Sequence, residues 1–302
     1  MSDYFPDKAS GKWCSHKIEL VDKNTGEVKE KPLYVFKEDN IGDNMSIDDK
    51  AIGRDGFTVL SNADTGKVAL LVETTNAEGV ELAMEQFGSS LHKIKHISMD
   101  MSATYALVCN NLIPRAAQVI DKFHVMKYVY DAVGQVRIRI KKELTSTLTK
   151  GKKRTEEDNQ KLSELELLRR IQRAITQSPH KWNEEMTATI NQVFEKYDDL
   201  KMAYQISQSF KHWYNYQNRM KSSNEIANSL HQWYEQARKL KEFESVIKMI
   251  RKHENEIMNF FQHGMTNAKA ERLNGKMQRF VSNNYGVKDK DFFLYRTANY
   301  FS

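Results

Sequence analysis

The sequence predicts an α/β protein with a mixed five-stranded sheet flanked by helices and a large all-helical insertion before the last helix of the sheet domain. Three observations support this prediction. Residues 44–75 contain short apolar runs separated by glycine-containing turns, and residues 76–120 alternate helical and strand-like segments. Residues 125–265 contain three glycines and one proline among many Glu, Lys, Arg, Leu and Gln residues, a composition typical of helices.

The first three strands are predicted to form an antiparallel meander, because short strands joined by glycine-containing turns usually pair in this way. Asn76 is a candidate helix N-cap, and Gly88 favours the end of that helix. A strand, a crossover helix and another strand follow, which indicates parallel pairing and makes the sheet mixed. The five strands are predicted at residues 45–48, 57–60, 67–73, 96–100 and 117–120.

These elements predict four segments. Residues 1–43 form a short N-terminal segment compatible with a β-hairpin, and residues 44–124 form the first part of the sheet domain. The helical insertion is predicted over residues 125–265. Residues 266–302 begin with a helix that completes the sheet domain.

Composition argues against several classes of protein. No apolar run among the 302 residues approaches the roughly 20 residues that span a membrane, and no secretion signal is evident near Met1. The two cysteines, Cys14 and Cys109, argue against a disulfide framework and favour a reducing compartment. Cys14 and His16 are spaced like two zinc ligands, but no second pair is evident, and we interpret them as incidental. The formal net charge of +6 is weak evidence for a polyanionic partner.

Three acids are candidates for a metal site. Asp48 and Asp100 each close an apolar, strand-like run, and Glu271 lies on a predicted helix 171 positions after Asp100 (271 − 100). Carboxylates are the hard oxygen ligands that Mg²⁺ prefers, and a pair of such ions can catalyse phosphoryl transfer. The sequence therefore predicts a three-carboxylate site for divalent metals.

Each acid also has an alternative interpretation. Asp48 fits a solvated turn, although an acid in a central strand is costly unless it is paired, exposed or metal-bound. Asp49 faces the other side of the strand and cannot share the same ion. Asp100 fits a helix N-cap, which is compatible with metal binding. Glu271 fits a solvated helix face, and its flanking residues, Asn267 and Asn274 among them, single it out.

The order of elements resembles the ribonuclease-H-like fold, and several short motifs resemble the transposases of bacterial insertion sequences, specifically the DDE group called ISL3 type. The resemblance covers roughly residues 44–300. The motifs are Ser46-Ile47-Asp48-Asp49, Met99-Asp100, Pro114-Arg115-Ala116, Asp121-Lys122-Phe123-His124-Val125, Val136-Arg137 and Thr266-Asn267-Ala268-Lys269-Ala270-Glu271-Arg272-Leu273-Asn274.

This resemblance implies a DNA transposase in which Asp48, Asp100 and Glu271 bind Mg²⁺, with Mn²⁺ as a substitute. The implied partners are the double-stranded DNA of the element ends and of the target, and further copies of the chain in a homo-oligomer on DNA. The implied location is the nucleoid in the cytoplasm of a prokaryote, with no role for a membrane.

Similar transposases carry a Cys- or Asp-x-x-His pair where this chain has Asp121 and His124, and this pair is implied to organise the active site or the scissile strand. The alternative is that His124 is a core residue beside apolar neighbours. Asn274 shares a helix face with Glu271, so it could orient that carboxylate or contact DNA. Asn267 and Arg137 are further candidates for DNA contacts.

The N-terminal segment and the alternative functions leave the function open. Members of the family often carry a zinc-binding segment and a helix-turn-helix before the catalytic domain, and residues 1–43 lack the cysteines for such a segment. We therefore expect a separately encoded DNA-recognition protein or a shortened element. A metal-dependent nuclease that cuts without joining, and an inactive or accessory DNA-binding remnant, are the alternative functions.

Two sets of side chains have both a DNA-binding and a structural interpretation. The aromatic clusters at residues 210–216 and 231–234 could stack on unpaired bases, but at helical spacing such clusters more often form a core. The basic run of Arg137, Arg139, Lys141 and Lys142 could grip phosphates or form a solvated helix face.

Overall fold

The computed structural model describes residues 14–17, 20–21, 28–30, 33–52, 55–149, 155–263, 268–283 and 290–301. The chain divides into two compact units. The sheet unit comprises residues 1–121 and 255–302, and the helical unit comprises residues 122–254.

Nine strands are described. They are β1 (Cys14–Lys17), β2 (Leu20–Val21), β3 (Val28–Glu30), β4 (Leu33–Phe36), β5 (Asn44–Ile52), β6 (Asp55–Asn62), β7 (Val68–Val72), β8 (His96–Met99) and β9 (Ala117–Ile120). Seven of them form one sheet in the order β1-β4-β7-β6-β5-β8-β9, and β2 pairs with β3 in a separate two-stranded sheet.

The predicted mixed sheet is confirmed, and it has two more strands than the five expected. β5, β6 and β7 form the antiparallel meander, while β8 pairs in parallel with both β5 and β9. The two additional strands come from the N-terminal segment. β1 and β4 pair antiparallel as a hairpin would, and β4 also pairs with β7. This segment therefore extends the sheet instead of standing apart from it.

The helices of the described ranges are α1 (Ala77–Glu85), α2 (Ala103–Leu112), α3 (Lys122–Ser146), α4 (Glu156–Arg170), α5 (Glu184–Lys196), α6 (Asp198–Trp213), α7 (Ser223–Ala237), α8 (Glu244–Lys252), α9 (Glu254–His263), α10 (Ala268–Asn283) and α11 (Lys290–Tyr300). Short 3-10 helices lie at Glu38–Asn40, Gly88–Lys93, Ala174–Thr176, Pro179–Lys181, Tyr216–Met220 and Lys241–Phe243. None of the helices in these described stretches is long and apolar enough to cross a membrane.

Local chemistry explains the predicted helix and turn boundaries in the sheet unit. The Asn76 side chain caps α1 by accepting a hydrogen bond from the Glu78 amide at 2.9 Å. Gly88 follows α1 with a φ of 53°, a left-handed conformation that glycine adopts without strain. At the turn between β6 and β7, the Asn62 carboxamide accepts from the Asp64 and Thr65 amides, and Gly66 has a φ of 75°.

One buried cluster joins a face of the sheet to the last two helices. It contains Val35 from β4, Phe57 and Val59 from β6, Val68 and Leu71 from β7, Leu273 and Met277 from α10, Leu294 from α11, and Phe301. Burying a large apolar side chain stabilises the fold by about 1.5–3 kcal/mol. This cluster therefore fixes α10 on that face of the sheet.

The opposite face of the sheet is covered by α2, among other elements. Tyr105 of α2 is buried, and its hydroxyl lies 3.2 Å from the Thr58 hydroxyl of β6. Cys109 of the same helix is fully buried, and burial raises the pKa of its thiol to about 12.

The helical unit has its own core and its own ion-pair network. Arg139 of α3 donates to Glu242 at 2.7 Å and to Asp199 at 2.8 Å, which ties α3 to two further elements of the unit. The sequence predicted the helical insertion over residues 125–265, whereas the helical unit ends at Glu254. Asn259 of α9 belongs to the sheet unit, where its side chain donates to the Gln118 carbonyl at 2.9 Å.

Candidate active site

Asp48 and Asp100 occupy matched positions on neighbouring parallel strands. The last pair of the ladder between β5 and β8 joins Ser46 to Ser98. Asp48 lies two residues after Ser46 within β5, and Asp100 lies two residues after Ser98, directly beyond the end of β8. Residues two apart face the same side of a strand, and neighbouring strands lie roughly 4.8 Å apart. The register therefore brings both acids to one face of the sheet, at the carboxyl end of β8.

Asp121 extends this arrangement to a third strand. The ladder between β8 and β9 ends with Met99 paired to Ile120, so Asp100 and Asp121 directly follow the last residues of the two strands. The Asp121 amide donates to the Met99 carbonyl at 2.8 Å, which holds the two strand ends together. We call Asp48, Asp100 and Asp121 the acid row.

The helix that carries Glu271 packs on the same face as Asp48. Cross-strand partners Val35, Leu71, Val59 and Asp48 follow one another across β4, β7, β6 and β5, and directly paired residues share a face. The first three of these residues belong to the buried cluster that includes Leu273 and Met277 of α10. Asp48 is thus the acidic residue at the end of a cross-strand row whose three apolar members pack against α10.

The carboxylate of Asp48 contacts the two residues that follow it on β5. Its Oδ2 lies 2.7 Å from the Lys50 ammonium, and its Oδ1 accepts from the Asp49 amide at 3.0 Å. The side chains of Asp48 and Lys50 are 19% and 20% exposed. Lys50 was not singled out from the sequence, although its position two residues after Asp48 places both on one face of the strand.

Asp49 pairs with Thr58 and therefore faces the side of the sheet that α2 covers, as the alternation of strand residues predicts. Burial raises the pKa of the Tyr105 hydroxyl on that side well above its ordinary value, although the hydrogen bond with Thr58 opposes this. The charges of Asp49, Asp100 and Asp48 raise the same pKa further.

Asp100 also shapes the start of α2. Its Oδ1 accepts from the Ser102 amide at 2.8 Å, and Ser102 is the N-cap residue of that helix. The N-cap of α2 is therefore Ser102 and not Asp100, whose carboxylate instead binds the amide of the N-cap residue. One hydrogen bond to Oδ1 is compatible with metal binding by the same carboxylate.

The structure leaves three predicted residues partly or wholly outside its description. Glu271 and Asn274 lie within α10, where only their backbone is described, and Asn267 lies outside the described residues. Among the side chains that are described, no three His, Cys, Asp or Glu form a group that could hold a metal ion. Asp48 and Asp100 are oxygen donors of the type that Mg²⁺ prefers, so the described part of the site fits this metal.

His124 and Arg137 belong to α3 in the helical unit. His124 is half-buried, and its ring meets the exposed Phe123 ring edge-on at 5.5 Å between centroids. Arg137 is buried, donates to the Leu168 carbonyl at 3.3 Å, and has its pKa lowered by burial. A guanidinium buried in this way is not available to phosphates, so the structure contradicts the predicted DNA contact of Arg137.

The aromatic clusters of the helical unit form its core, which contradicts the base-stacking interpretation. Phe210 is fully buried, with its ring centroid 4.7 Å from Trp233 and 5.1 Å from Trp213. The indole nitrogens of Trp213 and Trp233 donate to the carbonyls of Ile226 and Ile206, both at 2.9 Å. Side chains packed in this way do not present a face to nucleobases.

Replacing Phe210 with alanine is expected to lower the free energy of unfolding of the helical unit by about 3–5 kcal/mol, because it removes a buried ring and leaves a cavity. The affinity of the remaining folded protein for DNA is expected to stay unchanged. Urea unfolding and a DNA-binding titration measure the two quantities. The matched control is Met220→Ala at a 93% exposed position, with an expected change within about 0.5 kcal/mol. A loss of DNA affinity without a loss of stability would support base stacking.

Two histidines of the sheet unit form a pair that sequence reasoning missed. The Nδ1–H of His96 donates to the Asn44 side-chain oxygen at 2.8 Å, which leaves Nε2 facing Nδ1 of His263 at 3.1 Å. Burial lowers the pKa of His96 below its ordinary value of 6.5, and His263 and Lys95 lower it further, while Asp43 and Asp64 oppose them.

This lowered pKa predicts that the sheet unit loses stability in mild acid. The unfolded chain takes up the His96 proton first as the pH falls, so the contribution of this group is complete above about pH 6.5 and is lost as the pH falls through the folded-state pKa. Urea unfolding between pH 7.5 and 5 measures this loss, which should be smaller in His96→Gln than in the wild type. The exposed His92→Gln serves as the control, and an equal loss in all three proteins would contradict the prediction.

Comparison with known families agrees with the fold. A family model described as transposase, for the ISL3 type of DDE transposases, matches residues 45–297. The chain therefore belongs to this transposase family, and the resemblance inferred from the sequence is confirmed. It is a protein of DNA transposition by an insertion sequence, with an α/β, ribonuclease-H-like fold. No protein with a curated function matches the chain.

Proposed function

We propose that Asp48, Asp100 and Glu271 form the catalytic triad of an Mg²⁺-dependent reaction in which the transposase cuts the ends of its element and joins them to target DNA. The observation that supports this most directly is the register of β5 and β8. In this register Asp48 and Asp100 belong to neighbouring strands and to one face of the sheet. The helix α10, whose sequence includes Glu271, packs on the same face. Asp121, the next acid in the row, directly follows β9 and would support the site from there.

The reaction consists of two phosphoryl transfers. In the first, water attacks the phosphorus at the end of the element, the P–O3′ bond breaks, and the leaving oxygen takes a proton to become a 3′-hydroxyl. In the second, this hydroxyl attacks a target phosphodiester, loses its proton, and a target 3′-hydroxyl leaves. When bound, Mg²⁺ would supply activation of the attacking oxygen and charge stabilisation at the leaving oxygen.

The chain itself contributes position and charge. Asp48 lies within β5 and Asp100 directly follows the last residue of β8, so regular strands position the backbone of both acids before DNA arrives. Since no covalent protein–DNA intermediate is required, no Ser or Tyr nucleophile is assigned. Asp121 and His124, and the side chains of Asn267 and Asn274, are proposed to support the site or contact DNA. Two element ends require two active sites, so the active form is proposed to be a homo-oligomer on DNA.

A cleavage and joining assay tests this proposal. The substrates are duplexes that carry the inverted repeats flanking the gene, used intact and pre-cut, with Mg²⁺, Mn²⁺ or a chelator. The proposal predicts metal-dependent release of 3′-hydroxyl ends and joined products from pre-cut ends. Cutting without joining would indicate a nuclease. Binding without either reaction would indicate an accessory protein, and a need for an added partner would indicate a separate recognition protein.

A further inference from the structure

Lys50 and Asp48 form a largely shielded ion pair on β5. The Lys50 ammonium lies 2.7 Å from Oδ2 of Asp48, and both side chains are about four-fifths shielded from solvent, with 20% and 19% exposure. Lys50 lies opposite Phe57 in the β5–β6 ladder, and Phe57 belongs to the buried cluster under α10. The lysine is therefore held on the same face as the acids by a regular strand.

Lys50 lies on β5 two residues after Asp48, beyond the point where β5 pairs with β8. The ladder between β5 and β8 ends at Ser46 and Ser98, whereas β5 continues to Ile52. Beyond the end of β8, β5 projects past Asp100 and carries Lys50 with it. If DNA binds at the carboxyl ends of these strands, a positive charge at this position would attract its phosphates.

A lysine ammonium and a divalent cation compete for the same carboxylate oxygen. While Lys50 holds Oδ2 of Asp48, a metal ion that binds Asp48 must displace the ammonium or share the carboxylate with it. A DNA phosphate offers the ammonium another anionic partner, and lysine is a flexible point charge that can change partners. Binding of phosphate by Lys50 would therefore release Asp48 for a cation.

We propose that Lys50 is a positioning residue that couples DNA binding to the loading of the divalent metal on Asp48. The inference rests on the proposed metal-binding function of Asp48. In the absence of DNA, Lys50 lowers the metal affinity and neutralises part of the repulsion among the acids. With DNA bound, the lysine pairs with a phosphate, and the carboxylate accepts the metal. Coupling of this kind is reciprocal, so the metal must also increase the affinity for DNA.

The test is a calorimetric titration with Mn²⁺, first without DNA and then with a random-sequence duplex that carries no element end. Lys50→Met is expected to bind Mn²⁺ about tenfold more tightly than the wild type without DNA, since the competing charge is gone. The duplex is expected to tighten Mn²⁺ binding at least about fivefold in the wild type and less than about twofold in Lys50→Met. Lys50→Arg keeps the charge and should behave like the wild type.

Lys95→Met is the matched control, because Lys95 pairs with Asp43 at the same 2.7 Å distance but at the start of β8, where the pair is exposed. It is expected to leave Mn²⁺ affinity unchanged. Equal Mn²⁺ affinity in Lys50→Met and the wild type without DNA would overturn the inference, as would an equal effect of the duplex on both. Asp48→Asn separates the two proposals: if it binds Mn²⁺ like the wild type, the metal role of Asp48 fails, and if it loses Mn²⁺ binding while Lys50→Met changes nothing, only the role of Lys50 fails.

Discussion

Replacing Asp48 with asparagine is expected to reduce strand cleavage at least about 10³-fold, a loss of the size seen when a preorganised charge is removed from an active site. The carboxamide keeps the shape of the Asp48 side chain but lacks the charge that holds a divalent cation. The measurement is the single-turnover rate of cleavage of an element end with Mg²⁺. The affinity for the same DNA with a chelator present is expected to change little.

Asp49→Asn is the matched control for this prediction. The two acids are adjacent in sequence, but Asp49 pairs with Thr58 and lies on the α2 face of the sheet. Its replacement should cost less than about tenfold in cleavage rate, because it cannot bind the same ion as Asp48. Equal losses in the two variants would mean that the register does not select the metal ligand. Full activity of Asp48→Asn would remove Asp48 from the triad.

Replacing Glu271 with glutamine is the second prediction with a large expected effect, again a loss of at least about 10³-fold in cleavage. α10 is held on the sheet by Leu273 and Met277, which are 3% and 2% exposed, so the helix does not depend on Glu271 for its position. The melting temperature should therefore stay within a few degrees of the wild-type value. Cleavage rate and thermal unfolding measured on the same preparation separate a catalytic loss from a folding defect.

Two further variants test whether the negative charge at position 271 is what cleavage requires. Glu271→Asp keeps the carboxylate but shortens its reach, and it should retain more activity than Glu271→Gln if charge at this position is what matters. Lys276→Gln, at an exposed position of the same helix, should have little effect on cleavage. If Glu271→Gln cleaves like the wild type, Glu271 is not the third carboxylate of the triad.

Much of the sheet unit was predictable because its elements are signalled by local chemistry. The strand at residues 117–120 was predicted with the bounds that β9 has, and Asn76 caps α1 as expected. The strands of the N-terminal segment were harder to place. The run Leu33–Phe36 is strand-like, but only its pairing with β7 shows that it belongs to the main sheet. Such long-range pairing is not encoded in the local sequence.

The candidate site was predictable in composition but not in geometry. Acids at strand ends pointed to Asp48 and Asp100, whereas their matched positions follow from the parallel register that joins Ser46 to Ser98. Lys50 was overlooked because a lysine after two acids reads as part of a solvated turn. Arg137 was misjudged for the opposite reason, since a basic run on a helix gives no sign that one of its members is buried.

Burial of Cys109 gives the molecule its own reporter of conformational opening. With its pKa raised to about 12, this thiol holds almost no thiolate at neutral pH, and its full burial shields it from alkylating reagents until the structure around α2 opens. Because α2 begins three residues after Asp100, the rate at which Cys109 is labelled in a Cys14→Ser background reports on local order beside the acid row. An inactive variant whose Cys109 is alkylated as slowly as in the parent protein has lost catalytic activity but kept its fold.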